Sequence, residues 1–223
     1  THDLRTPLTA IRGHAAALAD GVVPDADVPR SLAAIEGEAA RLETLVADLL
    51  DLARLDAHRF KLDLAPADPA DVLDRAFDAM EAQAAVRGLS YEREIEEMET
   101  VLTDEVRVRQ IVCNLLDNAI HWTPRGGAVR LEGRPRPGGG FIAAVTDTGP
   151  GVPPDAAEAV FEPFSSNETP EGRRGSGLGL AISRQLARAL GGDVRVEPGD
   201  GGGSRFVLDL PATADRPVPA RRR

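Results

Sequence analysis

Four short stretches of the chain carry residues whose types and spacing could do chemistry. In T-H-D-L-R-T-P-L, His2 and Asp3 are adjacent and Thr6 follows one helical turn later. A carboxylate on one ring nitrogen of a histidine leaves the other as a nucleophile, and a hydroxyl one turn away can hold a water. In I-V-C-N-L-L-D-N-A-I-H-W, Asn114 and Asn118 stand four apart, so on a helix they share a face. Two amide oxygens on one face suit a hard cation or a phosphate; Mg²⁺ takes oxygen ligands, keeps waters and bridges phosphates. In V-T-D-T-G-P-G-V, Asp147 could accept from an exocyclic amine and so select adenine, whereas the oxygen of guanine would meet an uncompensated charge. Gly149 and Gly151 there would let the backbone approach a flat ligand. In G-R-R-G-S-G-L-G-L, Gly175, Gly177 and Gly179 would present bare amides and a helix N-terminus to a phosphate, with Arg173 and Arg174 in reach. The G-x-G-x-G spacing is not the dinucleotide fingerprint, and no G-x-x-x-x-G-K-[ST] loop occurs. Taken singly, each stretch also fits a bland role: a solvated histidine, a surface asparagine, a strand-ending turn.

The elements that must hold these residues can be read from periodicity. Leu4, Leu8, Ile11, Ala15 and Leu18 alternate by four and three, as do Leu32, Ile35, Ala39, Leu42, Val46, Leu49 and Ala53. That is a coiled-coil or four-helix-bundle seam on two helices. Residues 1–57 therefore form a helical hairpin, its first helix ending near Asp20-Gly21 and V-V-P-D-A-D-V-P making the connection. Two helices cannot close such a core, so a homodimer is expected. With Leu4 at d, His2 falls at b and Thr6 at f, both on the solvent face. Pro7 removes a donor and crowds the carbonyl of Asp3; it either bends the helix beside His2 or merely occupies a first turn.

Residues 58–66 read as a linker, with F-K-L-D-L as a short strand and A-P-A-D-P as a break. From 67 to 211 helices and strands follow one another. A capped helix opens at D-P-A-D-V-L; strands are expected at L-S-Y-E-R-E-I and T-V-L-T; a helix spans about Asp104 to Trp122. The hairpin A-V-R-L-E-G-R/F-I-A-A-V-T-D-T precedes an irregular stretch. A helix through L-A-I-S-R-Q-L-A-R-A-L is stopped by Gly191-Gly192, and D-V-R-V-E/S-R-F-V-L-D-L closes the domain as a hairpin. The fold class is α+β, with helices over one face of a mostly antiparallel sheet. Residues 212–223 read as a disordered tail.

Composition narrows the function classes. A formal net charge of -10 argues against non-specific nucleic-acid binding, and one lysine, Lys61, sits among 26 basic residues. A bound polyanion must then be held by backbone amides, a metal or a few arginines. The single cysteine, Cys113, excludes an intrachain disulfide. No apolar run is long enough to cross a membrane, and the chain is expected to be a fragment of a longer one.

In this order the stretches resemble a bacterial sensor histidine kinase over Thr1 to about Leu210. T-H-D-L-R-T-P-L resembles the H box, N-L-L-D-N-A the N box, D-T-G-P-G the G1 box, F-E-P-F the F box and G-S-G-L-G-L the G2 box. The resemblance implies a dimerisation and histidine-phosphotransfer hairpin, paired in a dimeric four-helix bundle. It implies, after the hairpin, an α/β-sandwich ATP-binding domain of the Bergerat (GHKL) type. It implies His2 as phosphoacceptor, Asp3 as the acid orienting its ring and Thr6 as the residue placing water for phosphatase activity. Asn114 would bind Mg²⁺, Asn118 the phosphates and Asp147 the adenine amine of ATP. His121 stands where the family often has a lysine, and Trp122 keeps the aromatic that follows. The implied partners are a second copy and a response-regulator receiver domain; the implied location is cytoplasmic, in a parent anchored in the cell membrane. Two rival readings are a nucleotide-binding scaffold that no longer transfers phosphate, prompted by His121 and the acidic surface, and a different GHKL ATPase of chaperone or topoisomerase type, which shares the nucleotide boxes but lacks a His-Asp-x-x-x-Pro hairpin joined to a heptad seam.

Overall fold

The structure is a computed structural model and describes residues 2–56, 61–165, 177–199 and 201–212. The chain divides into two compact units, Thr1–Ala53 and Arg54–Arg223. The first holds α1 (His2–Ala19) and most of α2 (Val28–Asp56), joined through a 3₁₀ turn at Asp25–Asp27. The connection is shorter than the sequence suggested, because Val28 and Pro29 already belong to α2. Proline is well placed there: the first turn of a helix does not use its N–H groups. Pro7 lies inside α1, in its second turn and not its first, and is buried. The seam is incomplete in one copy: Leu8 and Leu32 remain about half exposed, at 51% and 50%, and Val46 and Leu49 are exposed too.

The second unit begins with β1 (Ala65–Ala67), then α3 (Pro69–Arg87), β2 (Ser90–Ile95), β3 (Val101–Thr103) and α4 (Glu105–Trp122). It continues with β4 (Ala128–Pro135), β5 (Phe141–Asp147), α5 (Gly179–Ala189), β6 (Asp193–Pro198) and β7 (Ser204–Leu210). The expected strand at F-K-L-D-L is displaced. Phe60 lies outside the described residues, Lys61–Leu64 have no regular structure, and the strand falls on Ala65–Ala67. There it pairs antiparallel with β3, Pro66 opposite Leu102. Proline is tolerated because a two-stranded sheet is all edge. Asp63 is meanwhile tied by its N–H to Asp104 Oδ2 at 3.0 Å.

Helix ends follow from local chemistry. Asp68 caps α3 by accepting from the Ala70 N–H at 2.9 Å, Pro69 fills the first position, and Gly88 ends the helix at φ +66. Asp104 caps α4 through the Arg107 N–H at 3.2 Å. Side-chain caps of this kind satisfy donors that the helix cannot.

The main sheet runs in the order β2-β4-β5-β7-β6. β2 pairs parallel with β4 and every other neighbour is antiparallel. Helices α3, α4 and α5 cover one face, burying Leu73, Ile111, Leu115, Leu131, Ile182, Phe206 and Leu208 almost completely. A small cluster of Ile142, Ala144 and Val207 is buried separately. Ion pairs Arg205–Glu132 and Arg130–Glu94 join strands of the sheet, and Arg136, just past β4, pairs with Asp209 of β7 at 2.5 Å. The result is a two-layer α/β sandwich that brings the end of α4, the end of β5 and the start of α5 together. Residues 213–223, where the disordered tail was expected, lie outside the described residues. Among the described residues no helix is long and apolar enough to cross a membrane.

Candidate nucleotide-binding site

A cavity of about 240 Å³ opens in the second unit, between α4, the end of β5, the start of α5 and the start of β7. Its wall includes Asn118 and Trp122 from α4, Asp147 and Gly151 from the β5 turn, Leu180 from α5, and Ser204 and Phe206 from β7. Four residues singled out in the sequence therefore meet at one place: Asn118, Trp122, Asp147 and Gly151.

Asp147 is the charged residue of that wall, and only 2% of it is exposed. Its Oδ1 accepts from the Gly149 N–H at 2.7 Å and from the Ser204 N–H at 3.3 Å. Burial pushes the carboxyl above the usual carboxylate range, and the two backbone bonds pull it partly back. Both of these bonds fall on Oδ1, so Oδ2 is the oxygen available to a ligand.

The glycines explain how the loops come so close. A Cβ on Gly149 would stand 2.8 Å from Asp147 Oδ1 and 3.1 Å from the Trp122 carbonyl oxygen. Gly151 has φ +76, and a Cβ there would be 2.7 Å from the Gly202 carbonyl oxygen. Gly177 has φ +65 and packs on the backbone of Phe164, whose N–H donates to the Gly177 carbonyl at 2.9 Å. These positions exclude a side chain on space alone.

Asn114 faces α5. Its Nδ2 donates to the Gly179 carbonyl and to Ser183 Oγ, both at 3.3 Å, which leaves its Oδ1 outside those two bonds. His121 is half-buried and packs edge-on against Trp122, with centroids 5.7 Å apart, and it is not part of the cavity wall. Arg173 and Gly175 lie outside the described residues. His2, Asp3 and Thr6 belong to α1, and their side chains also lie outside the description.

The residues that reach this geometry can be compared with known proteins. The family described as "Histidine kinase-, DNA gyrase B-, and HSP90-like ATPase" matches residues 103–214, and the "His Kinase A (phospho-acceptor) domain" matches residues 1–58. The chain belongs to the bacterial sensor histidine kinases. It is 33% identical over 228 residues to the histidine-protein kinase/phosphatase MprB of Mycobacterium avium, covering 98% of this chain and 42% of that one. Among solved structures, full-length ShkA in complex with AMPPNP is 35% identical with a TM-score of 0.72, covering 97% of this chain and 46% of that chain. Acinetobacter baumannii AdeS is 25% identical with a TM-score of 0.76, covering 95% and 98%. The chain spans between a quarter and just under half the length of the curated relatives it matches.

Reading the sequence as a histidine kinase did not find every residue at the cavity. Gly203 is the tightest: a Cβ there would stand 1.8 Å from the Asp147 carbonyl oxygen. Ser204 supplies a backbone donor to Asp147, and Phe206 a wall. The stretch G-G-G-S-R-F passed as a hairpin turn and strand. The signal was a run of glycines longer than a tight turn needs. Phe161 was noticed only as part of F-E-P-F; it is buried edge-on against Phe206 with Arg184 over its ring at 4.7 Å.

Proposed function

We propose that the chain is the ATP-dependent autophosphorylating core of a two-component sensor. The observation that carries it is a buried carboxylate, Asp147, at the wall of a cavity shared with Asn118 and Trp122, in a chain whose α1 bears His2-Asp3. Asp147 would accept from the adenine amine through the oxygen not bonded to Gly149 and Ser204. Gly177 and Gly179 would bring backbone close to the phosphates, and Asn118 would bind them. The same family membership and the AMPPNP complex of ShkA support ATP as the ligand.

The donor set at Asn114 fits a hard cation. Its amide nitrogen is engaged by α5, so the oxygen is the group to offer. Among the described residues no cluster of three or more His, Cys, Asp or Glu could hold a metal. A site made of one amide oxygen, waters and substrate phosphates suits Mg²⁺ and does not need such a cluster. When bound, Mg²⁺ would supply positive charge that offsets the phosphates.

In the reaction, Asp3 holds one ring nitrogen of His2 and the other attacks the γ-phosphorus in line. A P–N bond forms, the bond to the β,γ-bridging oxygen breaks, ADP leaves and the imidazole gives up its proton. Positioning and charge stabilisation supply most of the rate in such transfers. The phosphoryl group then passes to an aspartate of a response-regulator receiver domain, and Thr6 places water for the opposing phosphatase reaction, in which the aspartyl phosphate is hydrolysed to aspartate and inorganic phosphate. Exposed Leu8, Leu32, Val46 and Leu49 support a second copy completing the seam. The parent would be a membrane-anchored sensor with this core in the cytoplasm, which accords with how little of its relatives the chain spans. Mapping by tandem mass spectrometry after incubation with ATP and Mg²⁺ tests the proposal. The phosphoryl group is expected on His2; finding it on another residue overturns the assignment.

A further inference from the structure

We propose that Arg87 is a positioning residue of the nucleotide site. One guanidinium nitrogen gathers three main-chain carbonyls at the end of α4 and so sets the last turn of that helix against the cavity. The inference rests on the nucleotide reading above and concerns a residue remote from the ligand.

A helix leaves its last four carbonyls without intrahelical partners. At the end of α4 these are the carbonyls of Ala119, Ile120, His121 and Trp122. Ala119 is served from within, by the Thr123 N–H at 3.0 Å and the Thr123 hydroxyl at 2.7 Å. Ile120 and His121 are served from another helix: Arg87 Nη2 donates to both at 3.0 Å, and to the Thr123 carbonyl at 3.2 Å. A cation at a helix C-terminus is also favoured by the helix dipole. Arg87 is the last residue of α3, and Gly88 turns the chain there at φ +66. The Gly88 carbonyl then accepts from the Gly126 N–H at 3.1 Å, and the Ser90 N–H donates to the Gly127 carbonyl at 2.9 Å. The junction between α3 and the segment after α4 is thus pinned at Arg87 and again just after it, at Gly88 and Ser90.

The two bonded carbonyls of His121 and Thr123 bracket Trp122. That residue has two duties at the site: it is part of the cavity wall, and its carbonyl oxygen stands 3.1 Å from where a Cβ on Gly149 would be. Gly149 in turn bonds Asp147. A shift of the last turn of α4 is therefore transmitted to the wall and to the loop that holds the carboxylate. Misplacements of about 1 Å are enough to cost a site heavily.

The chain has one tryptophan, so its fluorescence reports on Trp122 alone. The test compares the full chain with Arg87→Ala, Arg87→Lys and Arg87→Gln, reading tryptophan emission, ATP Kd by calorimetry, and thermal stability. Arg93→Ala is the control, because Arg93 bonds Asp78, pairs with Asp74 and lies over Phe77, contacts that all tie β2 to α3. Arg87→Ala is expected to shift the emission to the red and raise the Kd about tenfold. A lysine ammonium can offer three donors to the same three carbonyls, so Arg87→Lys should recover a large part of the affinity. Arg87→Gln, with two donors, should fall between them and keeps the comparison open should the alanine variant not fold. Arg93→Ala should lower stability and leave emission and Kd unchanged. If Arg87→Ala, or Arg87→Gln in its place, loses stability while emission and Kd stay at wild type, Arg87 is a structural residue only and the inference is wrong. If the wild-type chain itself binds no ATP, the nucleotide reading fails and takes the inference with it.

Discussion

Replacing Asp147 by asparagine should weaken nucleotide binding and at the same time stabilise the empty protein. The side chains have the same shape, so Oδ1 can go on accepting from Gly149 and Ser204. What changes is the second position, where an amide NH₂ replaces a carboxylate oxygen. An adenine amine would then face a donor in a site where Asp147 is 2% exposed. Losing a charge-assisted bond in such a place costs about 1.5–3 kcal/mol. At ~1.4 kcal/mol per decade that is roughly a 10- to 100-fold rise in Kd. Stability moves the other way. Burial raises the folded-state pKa of Asp147 above its unfolded value, so the ionised carboxylate opposes folding above the folded pKa. That opposition fades as pH falls through the folded pKa towards the unfolded one. Asp147→Asn should therefore melt at or above wild type at neutral pH, with the advantage shrinking on acidification. Wild-type ATP affinity should fall as pH drops through the raised pKa, a dependence the variant lacks. Calorimetric titration with ATP and thermal denaturation from neutral to acid pH measure all three. A variant with wild-type affinity, or one that loses stability at neutral pH, refutes the reasoning.

Three further changes have defined outcomes. Gly203→Ala puts a methyl 1.8 Å from the Asp147 carbonyl oxygen; neither backbone can yield, so a loss of about 2 kcal/mol or more is expected in denaturant unfolding, with weaker ATP binding. Leu73 is fully buried and its Cδ1 lies 2.6 Å from a Cβ on Gly133. Leu73→Ala alone should cost about 2–5 kcal/mol, Gly133→Ala alone should also destabilise, and the double variant should cost less than their sum; additivity would contradict that contact. Pro7→Ala restores a donor inside α1 and should change the ratio of kinase to phosphatase activity, measured as net phosphorylation of a receiver domain; an unchanged ratio removes any role for the proline in switching.

The sequence was most legible where a local rule and the global fold agree. Asp68-Pro69 and Asp104 announce helix starts through their own chemistry, Gly88 announces an end, and the five boxes arrive in order on the elements that hold them. It was least legible where the partner is distant in the chain. The Ala65–Ala67 strand exists because β3 is available to pair with it, and nothing in A-P-A advertises that. Gly203 and Ser204 join the site because β7 lies beside β5, bringing a glycine turn onto Asp147. Resemblance to the family places His121 at the ligand, where a lysine is often found; in the structure its ring packs edge-on against Trp122, which lines the cavity. Spacing identifies a helix face, while the packing around that face decides which residues reach a ligand.

The central claim, that this chain phosphorylates its own His2, is tested most directly by incubation with Mg²⁺ and γ-labelled ATP, comparing wild type with His2→Ala and measuring nucleotide binding in both. The account predicts label that is acid-labile and base-stable, present in the wild type and absent from the variant, with ATP bound equally by the two. Equal labelling of the variant, or no label in a wild-type dimer that binds ATP, would contradict it.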